Sequence, residues 1–380
     1  MKNLNKIENH FIIIGLVFFL FIIIDQNLIW DSLIIPNAKK DFIDFRCIQS
    51  WGLYFDDFFK TEKLYTERIE NTCALTYPKI WILISKFSFL ENEYIFYLTM
   101  YSAILIYLII FYHYIKKFKS YFFVYVFFSG SSFLLMERGN SDIFIFIFLF
   151  FFTIVNKKIF KILILLFSAV LKIYPIFAIF YFFKKRNDLL LLSLISFIFL
   201  IYLVLSIDQF KLISNAVWKT GDISFGIYAI LLNIQKHLDL NINRFLVLLL
   251  FALINLIIFI GIKNKIKNLE LKYKDLFLLG SGIYIILSLV GTAFDYKLIY
   301  LFFCIPLILN TNNKLFKYAF FINIFLSMEV HRLIHFFGFF GGVLNNISKM
   351  VLLCMCLQIF MYILLNHLLY KIQNEQSKTR

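Results

Sequence analysis

Charged side chains are scarce in this chain. Only 16% of its 380 residues are Asp, Glu, Lys or Arg, against about 25% in a soluble globular domain. The shortage is concentrated in long uncharged stretches such as FIIIGLVFFLFIII and IFIFIFLFFF. Their apolar positions run on without alternating, which excludes the strands of a closed membrane barrel. Cysteine is also sparse, with five in all. Cys304, Cys354 and Cys356 stand in apolar segments, where packing is a sufficient role. Cys47 and Cys73 share one polar segment and could pair in an oxidising compartment, although nothing in their spacing requires it. The sequence has no HExxH and no glycine loop followed by Lys-Ser or Lys-Thr; GFFGG at 338–342 is a turn. It shows no internal repeat and no low-complexity linker, and is read as a single membrane domain, 1–380. No small-residue cleavage site follows the first apolar run, which is therefore expected to stay as an anchor.

What fills the chain is apolar surface: 61% of the residues are hydrophobic and 20% aromatic. A helix needs about 20 such residues to cross about 30 Å of hydrocarbon. Crossings are expected near 10–29, 93–115, 120–137, 141–155, 188–206, 243–262, 275–293, 297–310, 317–335 and 348–369. The fold class is all-α, a polytopic transmembrane bundle of about 10–12 segments, since helices satisfy their own backbone in lipid. The net charge of +15 could suggest a nucleic-acid partner, but its distribution argues against one. The basic residues gather in KKFK (116–119), NKKIFK (156–161), KKR (184–186), KNKIKNLELKYK (263–274) and the tail, every second connection along the chain. That is the positive-inside pattern, and it puts both ends in the cytoplasm.

Two regions depart from plain crossings. Residues 30–92 form a large first outer loop, with acids from Asp31 to Glu70 and the short segments FRCIQSWGLYF and YPKIWILISKFSFL. These segments read as interfacial helices, with Trp51 and Trp81 at headgroup level. Residues 159–184 lie between two basic flanks and are too few for two full crossings. They read as a short broken hairpin, interrupted at LKIYP because Pro175 cannot continue a helix, with Lys172 facing a cavity.

Ionisable groups within spans are costly, about 2.5–3.5 kcal/mol each on insertion scales, and so mark candidate sites. Four outer-side places stand out: Asp44 and Arg46 in FIDFRCIQSW; Glu137, Arg138, Asn140 and Asp142 in MERGNSD; Lys172 and Tyr174 in LKIYP; and Asp295, Tyr296 and Lys297 in FDYKLIY. Singly, each is explained as well by loop solvation or snorkelling. Together they suit an anionic group such as a lipid phosphate, with a carboxylate beside it as a general base. His331 and His335 share a helix face near Glu329, which is half of a metal site with no third ligand.

The stretches DFIDFRCIQSW (41–51), TYPKIW (76–81), ERGNSD (137–142), LKIYP (171–175) and FDYKLIY (294–300), taken in order, resemble the polytopic glycosyltransferases of the C superfamily. They are most similar to family 87, the polyprenyl-phosphate-mannose-dependent mannosyltransferase type, and its bacterial relatives. The resemblance implies a hexosyltransferase of the bacterial cytoplasmic membrane. Such an enzyme moves a sugar from a polyprenyl-phosphate donor to an acceptor hydroxyl at the outer face, with inversion. The donor is a substrate and no cofactor is expected, while the sequence leaves metal dependence open and its lack of a ligand cluster favours none. It implies Asp44 as general base, with Asp41 as rival. Arg46, Arg138, Lys172 and Lys297 would serve the donor phosphate, and Tyr77, Glu137, Asn140, Asp142, Tyr174, Asp295 and Tyr296 the substrate pocket. The partners are membrane lipid, the lipid-linked sugar and a saccharide, glycolipid or protein acceptor, with no nucleic acid. A transporter or flippase for lipid-linked saccharides would show paired breaks in repeated halves. A polymerase or ligase would carry its dominant outer loop late in the chain.

Overall fold

The computed structural model describes residues 4–35, 42–52, 77–182, 186–216, 224–227, 229, 232, 244–267, 271–290 and 293–378. The chain is nearly all-α. Three described helices are long and apolar enough to cross a membrane, within Ile7–Ser32, Glu93–Phe118 and Val330–Asn366. A pair bent by 70°, Leu190–Leu205 with Ile207–Ile213, makes a fourth if counted as one span. These lengths are consistent with an integral membrane protein. Contacts divide the chain into two compact units, 1–176 with 195–219 and 177–194 with 220–380.

The first unit begins with α1 (Leu4–Ser32). One side of α1 leaves Ile13, Ile14, Leu20, Ile24 and Leu28 exposed, as suits a lipid-facing surface. Its other side packs on the unit through Phe11 against Phe127 and Phe18 against Phe133, with ring centroids 5.2 and 5.1 Å apart. The helix is interrupted at Asp25 (φ −155°, ψ 87°). There the Asp25 carboxylate accepts the Leu28 N–H at 3.1 Å and caps the second piece. Two short helices follow in the first loop, α2 (Ile43–Trp51) and α3 (Ile80–Phe87). Trp51 and Trp81 are buried in protein rather than displayed at a surface. The Trp81 indole N–H donates to the Leu171 carbonyl at 3.0 Å, a helix-end acceptor that would otherwise be an orphan. Cys47 is disulfide-bonded; Cys73 and Asp41 lie outside the described residues.

After α4 (Glu93–Phe118), the stretch expected as one crossing at 120–137 is two helices, α5 (Tyr121–Phe127) and α6 (Gly130–Arg138). The break is chemical. The Ser129 hydroxyl accepts the Ser132 N–H at 3.3 Å and starts a new helix, as an N-cap does. Next come α7 (Asp142–Ile154) and α8 (Lys158–Leu171). Lys172 is extended (φ −150°, ψ 138°), and a 3₁₀ helix over Tyr174–Phe182 carries Pro175. The break expected at LKIYP therefore occurs there. Helices α9 (Arg186–Leu205) and α10 (Ile207–Ala216) are the bent pair.

In the second unit, β1 (Ser224–Phe225) pairs antiparallel with β2 (Ala293–Phe294). Helix α11 (Arg244–Lys267) precedes α12 (Lys274–Val290). A second 3₁₀ helix (Asp295–Cys304), α13 (Ile305–Leu309), α14 (Lys314–Met328) and α15 (Val330–Lys378) complete it. The last is kinked at Gly338 (φ 54°, ψ −132°). Helix α12 lies close on the second 3₁₀ helix because Gly280 has no side chain; a Cβ there would meet the Tyr300 carbonyl oxygen at 2.5 Å.

Candidate functional site

Three of the four charged places converge in the first unit, and glycine decides where. Gly139 ends α6 in the left-handed region (φ 57°). Its N–H donates to the Met136 carbonyl at 3.1 Å, and the Asn140 N–H donates to the Leu135 carbonyl at 3.2 Å. This is a Schellman ending. A Cβ on Gly139 would meet the Phe42 Cβ at 2.6 Å. The missing side chain thus lets the residue preceding α2 lie against the turn. The chain reverses there, and Asn140 and Asp142 face the start of α2 and the end of α8.

Asn140 is the centre of the resulting network. Its Nδ2 donates to Asp44 Oδ2 at 2.6 Å and to the Tyr77 hydroxyl at 3.0 Å. Its Oδ1 accepts from Lys172 Nζ and from the Asp142 backbone N–H, each at 3.0 Å. Lys172 Nζ also pairs with Asp142 Oδ2 at 2.7 Å and lies 4.5 Å from the centre of the Tyr77 ring. Asp142, Asn140 and Lys172 are buried, while Asp44 and Tyr77 are half-buried and form the accessible edge of the network. Lys172 is held by protein groups, which is how a lysine survives in such a place.

Electrostatics act strongly on Asp44. Burial pushes its carboxyl above the ordinary carboxylate value, and Asp142 adds to the rise. The Arg138 guanidinium, the Asn140 hydrogen bond and the Lys172 ammonium hold it back. The Tyr77 phenol is driven well up by burial, then by Asp44 and Asp142, and so stays protonated. A half-buried carboxylate with a raised affinity for protons, flanked by cations, is suited to take a proton from a hydroxyl. Arg138 is part-exposed and pairs with Glu137, whose carboxylate is buried, at 3.3 Å. Tyr174 is buried in the same unit.

Arg46 takes a different direction from Asp44. Two positions along a helix are about 200° apart around its axis, and Arg46 reaches α4. It pairs with Glu93 at 3.1 Å, donates to the Tyr97 hydroxyl at 2.7 Å and lies 4.7 Å from the centre of the Phe96 ring.

The fourth place belongs to the second unit. Asp295 pairs with Lys349 at 2.7 Å, and both side chains are almost wholly buried. Lys349 Nζ also donates to the Ser224 carbonyl at 3.2 Å, and the Tyr284 hydroxyl donates to the Lys349 carbonyl at 2.9 Å. Tyr296 is buried with its ring stacked on Phe294, and Lys297 is half-buried. Lys349 was missed in the sequence, although a lysine beside the run MVLLCMC carries the same signal that marked Lys172. Its backbone partner on Ser224 has no sequence signature. Glu329 pairs with Arg332 at 2.9 Å. Among the described residues no group of three or more His, Cys, Asp or Glu is placed to hold a metal. No family model matches the chain, and no curated protein or solved structure is detectably similar to it.

Proposed function

We propose that the chain is an inverting membrane glycosyltransferase that moves a sugar from a polyprenyl-phosphate donor to an acceptor hydroxyl, with Asp44 as general base. The observation that carries the reading is the half-buried Asp44 carboxylate, hydrogen-bonded to Asn140 at 2.6 Å beside Arg138 and Lys172. The resemblance in 41–51, 137–142 and 171–175 supports it, because Asp44, Asn140, Asp142 and Lys172, one or more from each stretch, meet in one network. In the reaction, the acceptor O–H proton passes to Asp44 as the acceptor oxygen bonds to the anomeric carbon. The bond from that carbon to the phosphate oxygen breaks, and the electron pair leaves with the lipid phosphate. One displacement inverts the centre and needs one base, worth about 10²–10⁴-fold. Arg138, part-exposed at the edge of the network, meets the charge that develops on the leaving phosphate. Tyr77 lines the sugar pocket. In this reading the chain is a bundle of about 10–12 segments with its site at the outer face of a bacterial cytoplasmic membrane.

The test is sugar transfer by the purified chain in nanodiscs with a panel of polyprenyl-phosphate sugars, run beside Asp44→Asn and Asp41→Asn. Transfer lost in Asp44→Asn alone, with donor binding kept, is the expected result. Folded wild-type protein that neither binds nor consumes any donor would overturn the reading. Movement of a lipid-linked sugar across the bilayer would replace it with a transporter.

A further inference from the structure

We propose that Asn140 is the positioning residue for the Asp44 carboxylate, and that Lys172 and the Asp142 backbone serve Asn140 by fixing which way its amide faces. The inference rests on the reading of Asp44 as the base. It gives Lys172 a task other than contact with the donor phosphate.

A primary amide has two donor hydrogens and two acceptor lone pairs. At Asn140 all four are used. The oxygen receives the Lys172 ammonium and the Asp142 N–H, and the nitrogen donates to Asp44 Oδ2 and the Tyr77 hydroxyl. A flipped amide would turn NH₂ toward an ammonium and a backbone N–H, and its carbonyl toward a carboxylate. Each side would then set donor against donor or acceptor against acceptor, so the surroundings decide the orientation. Lys172 cannot turn away freely, because Asp142 holds its ammonium at 2.7 Å in a buried setting. The nitrogen of Asn140 has no lone pair to offer, so it pairs with the ionised carboxylate and favours that form. It takes up Oδ2 and leaves Oδ1 for the acceptor hydroxyl.

Three charged groups act on Asp44 in this setting: Arg138 from the end of α6, Asp142 from the start of α7 and Lys172 from the end of α8; the Tyr77 phenol from the first loop shares the Asn140 amide with it. Arg138 and Lys172 also favour the ionised form, so a variant at Asn140 itself isolates the amide.

The experiment follows the protonation of Asp44 directly, in the 380-residue chain in nanodiscs. The carboxyl C=O stretch is recorded by infrared difference against Asp44→Asn across a pH series. Wild type, Asn140→Leu and Asn140→Asp are compared, with kcat/KM against pH measured in parallel. Loss of one hydrogen bond to a charged group should raise the Asp44 midpoint by about one to two pH units in Asn140→Leu. Asn140→Asp, with two carboxyls sharing the site, should move it further. The acid limb of kcat/KM should rise by the same amount, which a merely structural role for Asn140 would not produce. Asn140→Asp is nearly isosteric and serves if Asn140→Leu does not fold. A midpoint unmoved in the folded variants overturns the proposal, even where sugar transfer is intact. A shifted midpoint in a chain that transfers no sugar upholds the role of Asn140 and removes the glycosyltransferase reading.

Discussion

Two buried lysine–aspartate pairs occur among the described residues, one in each unit, and they have the same length. Lys172 and Asp142 are 2.7 Å apart in the first unit, and Lys349 and Asp295 are 2.7 Å apart in the second. They differ in what they are joined to. The first passes through the Asn140 amide to the half-buried Asp44 carboxylate, the base of the proposed reaction. The second continues to a backbone carbonyl, that of Ser224 in a two-residue strand, and holds the β1–β2 pairing to α15. On the proposed reading, the same ion pair supports a reactive group in one unit and fastens the fold in the other. The bond next in line decides which, and neither the charge nor the burial does.

Removing one partner breaks the comparison most visibly where the pair fastens the fold. Lys349→Met leaves Asp295 buried and uncompensated and should cost about 3–5 kcal/mol, measured as lost thermal stability in detergent, while Lys349→Met with Asp295→Leu should recover much of it. In the first unit the largest effect should fall on rate. Asp44→Asn should lower kcat by about 10²–10⁴-fold with little change in melting temperature. The wild-type rate should climb with pH through a midpoint above the ordinary Asp value of 3.8, because burial raises the carboxyl and only the ionised form accepts a proton. A midpoint at or below that value would show that the cations outweigh burial. Gly139→Ala should be destabilised by about 1–2 kcal/mol from the left-handed backbone alone, with a further loss from contact with Phe42. Circular dichroism melts would register both. The smallest effect should come from Glu93→Gln, whose partner Arg46 is near the surface; a stability change within about 1 kcal/mol is expected from thermal unfolding.

Much of the helix pattern was legible because apolar runs and basic flanks are local properties. The interruption at LKIYP could be read from Pro175, since proline acts on its own backbone and on the turn before it. The break at Ser129 carried an equally local signal, an N-cap serine before Gly130, but it was hidden by the apolar residues on both sides. Trp51 and Trp81 show the limit of residue preference. Tryptophan favours interfaces on average, yet the Trp81 N–H is fixed by one buried carbonyl at Leu171 that no local pattern marks.

Because the cost of transfer into an apolar medium is set residue by residue, the sequence by itself determined the nearly all-α character and marked several costly polar groups, Lys172 and Asp295 among them, though Lys349 was passed over. Only the tertiary structure decided partners. It set Asp295 against Lys349 and not beside its near neighbour Lys297, turned Arg46 toward Glu93, and placed Asn140 between Asp44 and Lys172. Hydrogen bonds and ion pairs act over about 3 Å between residues as many as 125 positions apart. Which pairs meet at that range depends on how helices pack and where a glycine lets the chain turn.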